Sequence, residues 1–187
     1  MNSTVAVVDY GMGNLRSVSK ALEHVVQDGQ RVIVTSNPDE VAAADRIVFP
    51  GQGAARDCMR QLTELQLDKA VSKAASEKPF LGICMGMQVL MTHSEENQGI
   101  DCMGIFAGNV RAFADESLHE QMQSHKIPHM GWNRVKQKQQ HPLWRDIADD
   151  SRFYFVHSYY VEPEDDSLIA GTTEYGIDFV SVIARDN

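Results

Sequence analysis

Apolar and polar positions in the first half of the chain alternate between two periodicities. Residues 4–9 (TVAVVD) are a short β-branched run, the composition of a buried strand. Gly11-Met12-Gly13 breaks it. Leu15, Val18, Leu22 and Val25 then recur at helical spacing, with Asn14 placed as N-cap. Asp28-Gly29 closes that helix, and residues 31–35 (RVIVT) read as a second strand. Asn37-Pro38 opens a short acidic helical turn, and residues 46–49 (RIVF) make a third strand ending at Pro50-Gly51. Between residues 54 and 75, Cys58, Leu62 and Leu65 mark the buried stripe of one helix followed by another. Residues 80–83 form a fourth strand that runs into Cys84 and a helical GMQVLMT. Strands alternating with helices predict parallel βαβ units and an open, mostly parallel α/β sheet flanked by helices.

From Gly104 onward the pattern changes to turn residues and short β-rich runs. These cover residues 152–161 (RFYFVHSYYV), 168–172 and 179–184, and they predict antiparallel strands added to the sheet. Residues 136–141 (KQKQQH) and 162–166 (EPEDD) read as solvated loops. Without a repeat or linker, residues 1–187 are expected to form a single domain.

Composition narrows the function. The 17 basic and 26 acidic residues leave a net charge of −9, which argues against nucleic acid or an anionic membrane as the main partner. Cys58, Cys84 and Cys102 cannot build a disulfide framework, and no pair has the spacing of a zinc or redox motif. No metal or cofactor is called for. The N-terminal apolar stretch lacks a preceding basic residue, and no window approaches the ~20 apolar residues of a membrane helix. A reducing cytoplasm is the expected compartment.

In an open α/β sheet, ligands gather at the carboxyl ends of strands. Gly82-Ile83-Cys84-Met85-Gly86 occupies such a position and is a cysteine version of the G-x-S-x-G nucleophile elbow. A thiol there would sit at a helix N-terminus, with its pKa lowered toward the thiolate, and the Met85 N–H would face a developing oxyanion. The plain alternative is a small cysteine in a tight βα turn. Pro50-Gly51-Gln52-Gly53 ends the third strand, and its free N–H groups suit an oxyanion loop, or else a simple connection. A nucleophile facing a separate oxyanion loop is the layout of acyl transfer. Gly11-Met12-Gly13-Asn14 lacks the third glycine of a dinucleotide fingerprint, since position 16 is Arg16. A cysteine nucleophile also needs a histidine base. Of seven histidines only His129 and His157 lie in ordered-looking sequence, and spacing places neither beside Cys84.

Taken together, GICMGMQ (82–88), PGQG (50–53), DYGMGNLRSV (9–18), PHMGWN (128–133) and YFVHSYY (154–160) resemble the glutaminase subunits of imidazole glycerol phosphate synthases. These are triad-type class I glutamine amidotransferases, with a flavodoxin-like core, that serve histidine biosynthesis. The resemblance implies that Cys84 attacks the side-chain amide of glutamine and releases ammonia through a γ-glutamyl thioester. It implies an oxyanion loop of Gly51, Gln52 and Gly53 with the Met85 N–H, and substrate contacts from Gln88, Ser158 and Tyr159. It further implies a heterodimer with a (β/α)₈ cyclase subunit that consumes the ammonia, with Asn14, Trp132 and Asn133 near the interface. Together with its partner such a subunit has hydrolase and lyase activities.

One departure matters. In that family the triad histidine and glutamate come from an F-H-P-E stretch after the last strands, and the 187 residues contain no His-Pro-Glu. Impaired turnover is therefore expected of this chain, and a non-catalytic subunit that binds or regulates the cyclase is the alternative. A cysteine peptidase would explain the elbow but not PHMGWN.

Overall fold

Short runs of β-branched residues separated by helical stripes produce alternating strands and helices. The computed structural model describes residues 3–185. Its first half contains β1 (Ser3–Val8), α1 (Leu15–Val25), β2 (Gln30–Thr35), α2 (Pro38–Ala43), β3 (Arg46–Gly51), α3 (Ala55–Glu64), α4 (Leu67–Glu77), β4 (Phe80–Cys84) and the one-turn α5 (Met85–Gln88). The four strands are parallel in the order β2-β1-β3-β4. Asn14 caps α1 as expected, its side chain accepting from the Ser17 N–H at 3.2 Å.

Strand periodicity sorts the core into two layers. Val5, Val7 and Val48 face α1 through Leu15, Val18, Leu22 and Val26. Ala6, Val8, Ile47 and Phe49 face the opposite layer, which includes Val41, Cys58, Leu62 and Val71. Val25 was expected on the α1 stripe but is 69% exposed, because the chain leaves the helix there and Val26 turns inward instead.

The second half contains β5 (His93–Ser94), β6 (Ile100–Asp101), β7 (Gly108–Ala112), α6 (His119–Met122), β8 (His129–Gln137), β9 (Ser151–His157), β10 (Tyr159–Pro163), β11 (Ile169–Tyr175) and β12 (Ile177–Ile183). These strands do not extend the parallel sheet. They form a second one, ordered β6-β5-β7-β10-β12-β11-β8-β9, in which, among the described residues, only β5 and β7 pair in parallel. A further parallel strand needs a crossover of a dozen or more residues, and α5 is one turn long. β4 consequently remains the edge of the first sheet, with Leu81 and Ile83 on an uncovered face.

Three local expectations change. The helix over GMQVLMT stops at Gln88, because the Gly108 carbonyl takes the Thr92 N–H and the Thr92 carbonyl accepts from Cys102. The run 152–161 is two strands broken at Ser158, β9 pairing with β8 and β10 with β7 and β12. Lys136 and Gln137 belong to β8, paired with Thr172 and Gly171, and Glu162 and Pro163 belong to β10. Ladder bonds are made by the backbone, so polar side chains on a half-exposed strand do not end it. Among the described residues no helix is long and apolar enough to cross a membrane.

Candidate active site

Cys84 stands where β4 turns into α5, at φ 56° and ψ −117°, a conformation that costs a non-glycine residue about 1–3 kcal/mol and clusters at functional sites. The surrounding glycines make the turn sterically feasible. A Cβ on Gly86 would lie 1.8 Å from the Phe49 carbonyl oxygen, and one on Gly82 would lie 2.7 Å from the Gly86 oxygen. On the facing strand, Gly51 pairs in register with Cys84. A Cβ there would meet the Tyr10 hydroxyl at 2.2 Å and the Gly86 nitrogen at 2.9 Å. The PGQG loop thus lies against the elbow by direct backbone contact. The N–H groups of Gln52 and Gly53 find no acceptor among the described residues, as an oxyanion loop requires.

The expected lowering of the thiol pKa is not what the surroundings produce. Loss of hydration raises Cys84 above its ordinary value, and the Met85 N–H only partly pulls it back. A one-turn helix aligns few peptide dipoles, so the helix end supplies little of the stabilisation expected of it. The other two thiols differ in access. Cys58 is fully buried, and Cys102 is intermediate.

Cys84 opens into a cavity of about 230 Å³ whose walls include Gln88, His157, Tyr159, Tyr160 and Ser181. It also borders an apolar cleft of about 940 Å³ between the two sheets, with Leu81 and Ile83 on one wall and Phe153 on the other. Gln88 is buried, and its Nε2 donates to the Tyr159 carbonyl at 3.4 Å. Ser158, read as a substrate contact, lies outside the lining of that cavity. It forms the bend between β9 and β10, where its carbonyl accepts from the Phe113 N–H. Tyr160, the last residue of the YFVHSYY motif but not singled out within it, and Ser181, which no motif marks, also enter the wall. Only the register of β10 and β12 brings them there.

The histidine question resolves at the end of β9. His129 and His157 are direct cross-strand partners, with His129 Nδ1 2.9 Å from His157 Nε2. His157 Nδ1 is 2.8 Å from the Tyr159 carbonyl. A carbonyl only accepts, so His157 Nδ1 donates, its Nε2 accepts, and His129 Nδ1 donates to it. Both ring nitrogens of His157 are spent, and neither can take a proton from Cys84. Among the described residues no three His, Cys, Asp or Glu side chains converge as a metal site.

The three residues read as interfacial separate. Asn14 is exposed at the α1 cap beside Gly13, whose Cβ would lie 3.7 Å from the Gly51 backbone. Trp132 is 62% exposed on β8 and packs edge-on against Tyr154 with ring centres 5.6 Å apart. A core role for this indole is therefore out. Asn133, one residue on, turns to the other face and donates to the Glu174 carbonyl at 2.8 Å.

Comparison with known proteins agrees with this geometry. The model of class-I glutamine amidotransferases matches residues 6–187. The chain is 59% identical to "Imidazole glycerol phosphate synthase subunit HisH" of Dechloromonas aromatica (strain RCB), over 98% of this chain and 85% of that protein. It is 56% identical to the subunit of the same name from Thiobacillus denitrificans, covering 100% and 82%. Among solved structures, PurLQS from Thermotoga maritima aligns with a TM-score of 0.65 at 20% identity, over 95% of this chain and 77% of that one. The crystal structure of a glutamine amidotransferase aligns with a TM-score of 0.63 at 12% identity, covering 91% and 84%. At those identities the structures speak for the fold alone. With an elbow cysteine set against a glycine loop, and relatives this similar along almost its whole length, the chain belongs to the class-I glutamine amidotransferases, in the family of the HisH subunits of imidazole glycerol phosphate synthase.

Proposed function

We propose that residues 1–187 act as a single glutaminase domain, the ammonia-producing subunit of an imidazole glycerol phosphate synthase in histidine biosynthesis. One observation carries the reading: Cys84, at φ 56°, pairs directly with Gly51 of a glycine loop in which the Gln52 and Gly53 N–H groups are unspent among the described residues. The sulfur attacks the side-chain amide carbon of glutamine. The oxyanion so formed is met by the N–H groups of the 51–53 loop and of Met85, donors fixed before the charge appears. Collapse expels ammonia and leaves a γ-glutamyl thioester, which water cleaves to glutamate, restoring the thiol. Gln88 and Tyr159 hold the substrate within the cavity they line, and Ser158 contributes from the bend beside it.

The ammonia passes to a cyclase subunit with a (β/α)₈ barrel. That partner docks on the exposed face of β8 and β9 around Trp132, and reaches separately Asn14 at the α1 cap and Asn133, which turns to the other face of β8. Three free cysteines suit work in a reducing cytoplasm. The proton taken from the thiol, and the one given to the departing ammonia, call for a positioned acid–base. His157 is not that group, since both of its ring nitrogens are engaged.

Glutamate release from glutamine, measured with and without a cyclase subunit, tests the reading. Cys84→Ala abolishes it. Joining a segment that carries the family's His-Pro-Glu after Asn187 raises turnover by about 10³-fold or more, the scale of regaining a triad member. Strong activity of the 187-residue chain that vanishes in His157→Ala would place the base inside the sequence and overturn this assignment.

A further inference from the structure

The hydrogen bonds around His157 continue past it in both directions. Asn133 Nδ2 lies 3.3 Å from His129 Nε2 and also donates to the Glu174 carbonyl, while its Oδ1 accepts from the Arg134 N–H. At the other end the Tyr159 carbonyl receives both His157 Nδ1–H and Gln88 Nε2–H. A single proton assignment satisfies every link from Asn133 through His129, His157 and the Tyr159 carbonyl to Gln88. Each imidazole is neutral, with the proton on Nδ1.

We infer that His129 is a positioning residue for glutamine binding: anchored by Asn133, it locks His157 in one neutral tautomer and so fixes the Tyr159 carbonyl that holds the Gln88 amide. This rests on the glutaminase reading of the Cys84 cavity, whose wall contains His157, Tyr159 and Gln88. His129 touches no part of that cavity. It is 3% exposed and sandwiched between Phe155 at 4.8 Å and Tyr175 at 3.9 Å, both nearly parallel to its ring. Stacking alone would be met by any aromatic residue. The donor toward His157 would not, and that distinction makes the role testable.

The surroundings favour uncharged rings. The titratable groups facing the pair are His125 beside Tyr175, Tyr175 itself on β11, Tyr159 and Tyr160 on β10, and Cys84 at the elbow. Among the described residues no carboxylate shifts either imidazole. Burial pushes His129 down to about 4, with the neighbouring His157 adding to it, and burial also lowers His157. With Nε2 of His157 accepting, Gln88 keeps its Nε2 on the Tyr159 carbonyl, and its Oε1 takes no bond from the described residues. That oxygen is the acceptor left for the ammonium or amide of the substrate.

Nitrogen-15 NMR of the histidine rings decides the tautomers in the unsubstituted protein. His157 and His129 should each show a protonated Nδ1 and a bare Nε2. A protonated Nε2 on His157 would overturn the relay without any variant. His129→Phe keeps the stack and removes the donor. The His157 titration midpoint then rises toward the ordinary 6.5, and affinity for L-glutamine by calorimetry falls about tenfold. His129→Gln, which restores a donor and an acceptor, should bind within about twofold of the parent, on the scale where tenfold is one hydrogen bond's worth. Equal affinity in the Phe variant and the parent would refute the positioning role. Failure of the unsubstituted protein to bind glutamine would count against the glutaminase reading, and the ring-nitrogen shifts would still decide the relay.

Discussion

Gly86→Ala is the sharpest probe of how the elbow is built. A methyl there would sit 1.8 Å from the Phe49 carbonyl oxygen and 2.8 Å from its carbon. Both atoms belong to the backbone of β3, a strand paired on both sides, so no side-chain rotation relieves the overlap. Overpacking a close-packed core costs about 1–3 kcal/mol, and a backbone clash falls at the upper end. Against it, alanine gains at most about 1 kcal/mol over glycine inside a helix, and α5 is only one turn. The net expectation is a loss of about 2 kcal/mol. For a domain of this size that lowers Tm by roughly 4–8 °C, and it moves the urea midpoint down at constant slope. Relief requires β3 and the elbow to separate, which withdraws Gly51 from Cys84. Misplacement by about 1 Å typically costs 10²-fold in rate, so glutamate release in the cyclase complex should fall by at least about that factor. Thermal and urea unfolding, read beside glutaminase assays, make the test. A Gly86→Ala protein as stable and as active as the parent would refute the claim that backbone contact sets the site.

Cys84 should be alkylated by a glutamine-like electrophile before Cys58 and Cys102, with Cys58 slowest because it is fully buried; peptide mapping after brief labelling checks this. Because its pKa is raised, the Cys84 rate should climb about tenfold per pH unit through neutrality, and a plateau below pH 8 would contradict the raised value. His129 titrates near 4 in the fold and near 6.5 unfolded. The unfolded chain thus binds more protons between those values, and stability falls as pH drops through that window. About 3 kcal/mol is lost over it, and urea unfolding of His129→Gln should lack this part of the slope. Trp132→Ala removes an exposed indole and should weaken binding to the cyclase about tenfold or more with Tm unchanged. Unaltered affinity by calorimetry would remove Trp132 from the interface.

Much of this protein follows from local order in the chain. The βαβ rhythm, the Asn14 cap and the placing of Cys84 between Gly82 and Gly86 all rest on near neighbours, where period and backbone sterics act within a few residues. The glycine requirement is only partly of this kind: Gly82 is imposed by the nearby Gly86 carbonyl, whereas the atoms that impose Gly86 and Gly51 include Phe49 on β3 and Tyr10 in the turn after β1. What sequence spacing could not supply is register. His129 and His157 lie 28 positions apart and become partners only when β8 pairs with β9. The same pairing spends the ring nitrogens that would otherwise have made His157 a candidate base. Trp132 and Asn133 are adjacent in sequence, yet the pleat sends one to solvent and the other to the Glu174 carbonyl. The length of α5 was likewise decided from afar, by the Gly108 carbonyl that draws Thr92 away from the helix. The thiol follows suit: a one-turn helix has little dipole to offer, and desolvation by the assembled fold, a property of no short segment, raises its pKa.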